Sequence, residues 1–187
     1  AEHDLLLGWY SLTLKENALA AAKLALEKHR LQAPFAGRVV LVRDPAAAAL
    51  SGPAECAAFE RLPPIPSSVT ERLRAELVEQ MQPAAEAGDC EALGESIYCY
   101  GRLAGECFAG VQGGPYHSEA VAQRVEALRA WGARGVGQSS WGPTVFALMP
   151  EEGSARELAD RMRRAEPGLE VRITSPANEG ARLTPLE

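Results

Sequence analysis

Apolar positions along the chain repeat every three to four residues over some stretches, and over others they alternate or run unbroken. Leu12, Leu19, Ala22 and Leu26 fall on one face of residues 11–30, with the lysines and Glu27 elsewhere. Thr13 with Glu16 makes a capping box, so this stretch predicts an amphipathic helix that ends before Pro34. Arg38-Val-Val-Leu-Val-Arg43 is a continuous apolar run between Gly37 and Pro45, the pattern of a buried strand. Residues 44–67 are rich in Ala and Pro, with one or two helical turns expected from Pro53 to Phe59. Leu62-Pro-Pro-Ile-Pro66 then forces an extended path, because each proline disfavours helix in the residue before it.

A second capping box, Ser68 with Glu71, predicts a helix to about Ala87 with Leu73, Leu77, Met81 and Ala84 inward. Gly88 ends it and Asp89 caps the next helix. That helix carries Leu93, Ile97, Tyr100, Ala104, Cys107 and Phe108 at three- and four-residue steps and is expected to be the central core helix. Gln112-Gly-Gly-Pro-Tyr-His117 breaks it, and Ser118 caps a further helix with Val121, Val125 and Leu128 inward. Thr144 to Met149 predicts a strand, and Ser154 with Glu157 caps a helix that presents Ala155, Leu158, Met162 and Ala165 and stops at Pro167-Gly168. Leu169, Val171 and Ile173 alternate with polar residues, as in a strand with one wet face. A short strand from Gly180 to Leu183 is expected to pair with it across the Ser175-Pro-Ala-Asn178 turn.

This order of elements predicts an α+β fold, a mostly antiparallel sheet with helices on one face. Residues 1–35 form an apolar and helical N-terminal segment, and residues 36–187 form the α+β domain. Lysine usage marks the same division. Lys15, Lys23 and Lys28 are the chain's three lysines, and all sixteen arginines lie at or after Arg30. Any anion bound by the larger part must therefore be held by arginine or backbone.

A length of 187 residues suits one domain or slightly more. The net charge of −6 supplies no basic face for nucleic acid. No apolar run reaches the roughly 18 residues of a membrane span, and no signal peptide is evident, so a cytoplasmic location is expected. Cys56, Cys90, Cys99 and Cys107 lack C-x-x-C spacing and a nearby histidine pair, which argues for reduced thiols rather than zinc ligands.

The stretch that draws attention is Gly135-Val-Gly137-Gln138-Ser139-Ser140-Trp141-Gly142, read as a loop. Glycine lets the backbone approach a ligand closely, and consecutive N–H groups turned to one side suit an anion. Three familiar loops do not match. There is no lysine for a Walker loop, the glycine spacing and context are wrong for a dinucleotide fingerprint, and Trp141 stands where a nucleophile elbow needs glycine. Ser139 and Ser140 are therefore read as hydrogen-bond donors, with Arg134 as the nearest cation and Arg102 as another. The helix before the loop presents its negative end there, so its dipole opposes an anion. The alternative is a plain helix-to-strand turn with Trp141 capping the core. Gln112-Gly113-Gly114 forms a second small loop, equally readable as a helix cap, and Tyr116 and His117 could face a pocket beside it. No catalytic residue is assigned.

Phe108-Ala-Gly-Val-Gln-Gly-Gly-Pro-Tyr116, followed by a helix and then Gly135-Val-Gly-Gln-Ser-Ser-Trp-Gly-Pro-Thr-Val-Phe146, resembles the C-terminal half of the β-ribofuranosylaminobenzene phosphate synthases, members of the GHMP kinase superfamily. Val39 to Pro64 with Ser51-Gly52, Glu55 and Ala58-Phe59, then Pro83-Ala84, and Asn178-x-Gly180-Ala181 extend the resemblance over about residues 38–185. It implies the fold of a GHMP C-terminal domain. It also implies a pentosyl transfer in which an aminobenzoate condenses with phosphoribosyl pyrophosphate and releases carbon dioxide and pyrophosphate, on the route to methanopterin-type carriers.

On that resemblance a phosphorylated small molecule is the expected partner and magnesium the expected cofactor; on the reading of the loops above, Gly135, Gly137, Gln138, Ser139, Ser140, Trp141, Gly142, Gln112, Gly113, Gly114 and Arg134 are the expected binding residues. The superfamily's N-terminal domain with its P-x-x-x-G-L-G-S-type loop is not matched by residues 1–35. A fragment or short form is therefore expected, working as a homo-oligomer or with a missing N-terminal domain. Two other readings stay open: an ATP-dependent GHMP small-molecule kinase domain, and a non-catalytic dimerisation module.

Overall fold

The computed structural model describes residues 37–177. The expected helix at 11–30 with Thr13 and Glu16, the apolar residues 1–10, Asn178 and the strand at 180–183 lie outside the described residues.

Strand β1 (Arg38–Arg43) forms at the apolar run predicted to be buried. Reading on, the helices are α1 (Pro53–Arg61), α2 (Ser67–Ala75), a π turn (Glu76–Met81), α3 (Gln82–Ala87), α4 (Cys90–Glu106), α5 (Ala109–Gln112) and α6 (Glu119–Ala130). Strands β2 (Val136–Gln138) and β3 (Val145–Met149), helix α7 (Glu152–Ala165) and strand β4 (Glu170–Thr174) complete the described chain. The strands make an antiparallel sheet in the order β2-β3-β1-β4. The α+β class, with an antiparallel sheet, is therefore the observed one.

Side chains in a strand alternate between faces, and the register puts Val40 opposite Ala147, Val42 opposite Val145 and Val136 opposite Ala147. All five are buried on one face, under Val121, Val125 and Leu128 of α6 and Ala155, Leu158, Ala159 and Met162 of α7. Burying a side chain such as Leu128 or Met162 contributes about 1.5–3 kcal/mol, which makes this two-helix cover the main source of stability. On the other face Leu41, Phe146 and Leu148 are only half-buried.

Several expectations are corrected. The 135–142 stretch contains strand β2, because Val136 continues the apolar face while its neighbours pair with β3. Ser68 is no cap. The carbonyl of Pro66 already accepts from Val69 and Thr70 (2.9 and 3.3 Å), so the helix begins before Ser68. Ser154 is no cap either; its hydroxyl donates to the carbonyl of Glu151 (3.1 Å) inside the first turn of α7.

The helix expected to run unbroken to Ala87 widens into the π turn ahead of Pro83, where Gln82 N–H donates to the carbonyl of Leu77, five residues back. Proline lacks the N–H for the usual bond and its ring crowds the carbonyl four residues earlier, and a wider turn relieves both. Leu77, expected inward, is turned out to 46% exposure as a result.

Other signals behaved as expected. Gly88 closes α3 at a φ of 68°, and the Asp89 carboxylate accepts from Glu91 and Ala92 N–H. Ser118 accepts from Val121 N–H (3.3 Å). Helix α4, however, is not the core helix. Leu93, Gly94 and Ser96 are buried, with Gly94 so close to β2 that a Cβ would meet the Gly135 nitrogen at 2.6 Å. The face carrying Ile97, Tyr100 and Ala104, with Phe108 just beyond the end of the helix, stays half-open and forms a groove wall.

Candidate functional site

A groove of about 410 Å³ runs between that face of α4 and the β2–β3 turn. Its walls are mostly apolar and aromatic: Tyr100, Phe108, Tyr116, Trp141 and Phe146, with Phe59 at the rim. Trp141 is the anchor, itself buried at 7% exposure. Its ring sits edge-on to Phe108 at 5.0 Å and to Phe59 at 5.4 Å, and Phe59 meets Phe108 at 6.2 Å. Edge-to-face packing of this kind fixes ring orientation beyond what area burial alone would give. Phe59 is nevertheless 52% exposed.

A hollow of similar volume, about 420 Å³, lies between residues 63–66 and the Leu103 and Cys107 side of α4. The groove beside Trp141 is the better candidate because of two polar atoms. Gln112 Oε1 and Tyr116 Oη are buried with no hydrogen-bond partner, and both residues line it. An unpaired buried polar atom costs about 1–3 kcal/mol. Natural proteins carry few of them, and each calls for a reason.

The Gln112 amide nitrogen donates to the carbonyl of Gly105 (3.4 Å), which leaves the oxygen on the other side. Glycine at 105 lets the Pro115 backbone lie against α4, where a Cβ would overlap the Pro115 carbonyl. Burial pushes the Tyr116 phenol up to about 12, with Tyr98 and Glu126 adding to the shift, so the hydroxyl keeps its proton.

The predicted residues fall into distinct places. Gln138, Ser140, Trp141 and Gln112 line the groove. Gly135 and Gly137 lie under other side chains: a Cβ on Gly135 would meet Leu148, outside the groove, at 2.8 Å, and one on Gly137 would meet the groove-lining Phe146 ring at 2.8 Å. Gly142 packs on His117, and Ser139 N–H is held by the carbonyl of Thr144 (2.9 Å). Gly113 caps α5 at a φ of 84°, and Gly114 follows it in the turn. Neither is among the groove residues. Arg134 is exposed, pairs with Glu91 (3.1 Å) and lines a separate surface depression with Cys90 and Pro150. Arg102 pairs with Glu106 (3.7 Å) on the face of α4 that borders the other hollow.

The expectation that main-chain amides of the 135–142 stretch form an anion mould is corrected in part. Val136 N–H donates to Arg134 O, Ser139 N–H to Thr144 O and Gly142 N–H to Ser139 O. Leu148 N–H donates to Gly135 O, which together with the Ser139 bond puts Gly137 at the hydrogen-bonded position opposite Phe146. These amides are committed to the hairpin. The Gln138 side chain is committed too: its oxygen accepts from His117 N–H and its nitrogen donates to Ser140 O (2.8 Å).

Sequence reasoning missed the aromatic wall, having assigned Tyr100 and Phe108 to the core. The available signal was Gly101 and Gly105 on the same helix face, which thin α4 where the wall opens. Burial raises the thiol pKa values of Cys90 and Cys99, so neither is poised as a thiolate nucleophile. Among the described residues no group of three or more His, Cys, Asp or Glu side chains is placed to hold a metal ion. No described helix is long and apolar enough to cross a membrane.

Residues 81–168 match the family model described as GHMP kinases C terminal. A β-ribofuranosylphenol 5'-phosphate synthase of Methanothermobacter thermautotrophicus is 30% identical over 134 residues, covering 71% of this chain and 38% of that protein. Homoserine kinase from Cytophaga hutchinsonii superimposes with a TM-score of 0.54 at 16% identity, over 77% of this chain and 43% of the other. Streptococcus pneumoniae phosphomevalonate kinase gives 0.52 at 18%, over 82% and 49%. The two kinase structures establish the fold. The chain spans about two fifths of the length of the synthase.

Proposed function

We propose that the chain, whose residues 81–168 match the model for the C-terminal part of GHMP kinases, serves a synthase that joins the ribose phosphate of phosphoribosyl pyrophosphate to an aromatic acid. The observation that carries this reading is the aromatic-walled groove beside Trp141, a concave apolar site with a few placed polar groups, as small-molecule sites usually are. The similarity to a protein named as a ribofuranosylphenol phosphate synthase supports the same chemistry.

In that transfer the ring carbon bearing the carboxyl group bonds to the anomeric carbon as the pyrophosphate oxygen departs. Loss of carbon dioxide then returns its electron pair to the ring. The groove receives the ring. The phosphates bind outside it, since among the described lining residues none is Arg or Lys, and magnesium arrives with the pyrophosphate.

The test is to incubate the polypeptide that carries this domain with phosphoribosyl pyrophosphate, magnesium and carboxyl-labelled 4-aminobenzoate or 4-hydroxybenzoate. Release of labelled carbon dioxide in step with pyrophosphate is expected. No release with either acid, together with ATP-dependent phosphorylation of a small molecule, would replace this reading with that of a GHMP kinase.

A further inference from the structure

We infer that the groove beside Trp141 is a slot for a planar aromatic ring whose inner edge bears an uncharged O–H or N–H donor, and that Gln112 and Tyr116 are the specificity-determining residues that read that edge. Naming the ring as the transfer acceptor rests on the function proposed above; the slot itself rests on geometry.

Gln112 fixes the polarity of the site. Its nitrogen faces the Gly105 carbonyl, and turning the amide over would set two oxygens against each other. The oxygen is therefore a buried acceptor that protein groups leave empty, and only a donor satisfies it.

Tyr116, at 7% exposure, lines the same groove and carries the second unpartnered buried atom. A phenol held in its neutral form can give a hydrogen bond to the ligand's heteroatom or take one from it. The walls supply ring contacts through Tyr100, Phe108, Trp141 and Phe146. Glu55 is the one charged residue among the described lining residues, so the edge held in the slot is uncharged and the acid's carboxylate lies at its mouth, outside the slot. The fitting ligand edge is an uncharged hydroxyl or amine, the one ring substituent in which the names ribofuranosylphenol and ribofuranosylaminobenzene differ.

The experiment titrates the full chain with 4-methylphenol, 4-methylaniline and 4-methylanisole, followed by backbone amide NMR shifts. These neutral rings differ in donor capacity, and the methyl ether has none. One net hydrogen bond predicts that the ether binds about 5- to 10-fold more weakly than the phenol, with shifts centred on residues 138–141. Gln112→Met should bring that ratio close to one. Tyr116→Phe should weaken the phenol severalfold while raising the unfolding midpoint, an opposition that a merely structural tyrosine would not give.

Equal binding of phenol and ether, shifts elsewhere, no binding, or a ratio that survives both variants would overturn the assignment. If donor discrimination is found and no pentosyl transfer, the proposed function fails and the slot stands. Transfer with unaltered acceptor preference in the Gln112→Met protein would reject the slot and leave the function.

Discussion

The side-chain oxygen of Gln138 holds the main-chain N–H of His117, while its nitrogen holds the carbonyl of Ser140 at 2.8 Å. One amide thus joins the loop before α6 to the β2–β3 turn and fixes the position of Trp141 relative to Tyr116. Gly142 completes the junction. Its φ is 68°, and a Cβ there would meet His117 Cβ at 2.6 Å and the Gln138 oxygen at 3.3 Å.

Replacing Gln138 with Leu removes two hydrogen bonds and leaves a main-chain donor and acceptor without their partner, a loss of about 1–3 kcal/mol. Gly142→Ala is expected to cost at least as much, since left-handed strain and a clash with the His117 side chain add together. Urea unfolding measures both. A Gln138→Leu protein as stable as the parent would show that water replaces the clamp.

Arg124 is the polar anchor of the buried face. At 8% exposure it donates to Glu166 (2.8–3.2 Å) just past α7 and to Asp44 (3.4 Å) just past β1. The Glu166 hydrogen bond raises the guanidinium pKa above its ordinary value, so the charge persists at any working pH. Because Glu166 and Asp44 are partly exposed, water can take over their side of the loss. Arg124→Met is expected to cost about 2 kcal/mol, below the 3–5 kcal/mol of a fully buried pair, with Glu166→Gln costing less. Chemical denaturation of the two variants gives the comparison, and equal losses would contradict the assignment of Arg124 as the anchor.

The frame of this domain was legible because it is written in local patterns. The Arg38 to Arg43 run, the period-two stretch at Leu169 to Ile173, and the caps at Asp89 and Ser118 each act within a few residues. The misread positions depend on partners far along the chain. Val136 to Gln138 became a strand through β3, and Gly135 and Gly137 are small because the Leu148 side chain and the Phe146 ring lie on them. A glycine-rich stretch reads the same whether glycine opens room for a ligand or for Phe146. The aromatic wall had the same ambiguity. Three- and four-residue spacing on α4 states that a face is apolar, and only tertiary structure shows that a groove, not a core, meets it.

Tyr116 makes stability depend on alkaline pH. Its folded-state pKa is about 12 against an ordinary value near 10, so the folded protein holds this proton more tightly than the unfolded chain. The stabilisation is fully present below pH 10 and is lost as pH rises from about 10 to 12. Tyr116→Phe should flatten that part of a stability profile, and because it removes an unpartnered buried hydroxyl it should raise stability at neutral pH by about 1 kcal/mol. Thermal unfolding across pH 7–11 reads both effects. A Phe variant less stable at pH 7 would mean that the hydroxyl has a partner in solution.

Gly137 ties the hairpin to the groove. A Cβ at this position would meet Phe146 Cζ at 2.8 Å, and a ring edge is free to move where a backbone is not. In Gly137→Ala the Phe146 ring gives way, and it gives way toward open space, which is the groove it lines. The cost to folding is therefore modest, about 1 kcal/mol as in mild overpacking, while the space for a ring ligand shrinks. The expected outcome is a small drop in unfolding midpoint with a disproportionate loss of 4-methylphenol binding, measured on one preparation by denaturation and NMR titration. A Phe146→Leu change in the same background removes the displaced ring and should restore part of the binding. Binding undiminished in Gly137→Ala would mean that Phe146 moves elsewhere and that the groove's floor is not set by this contact.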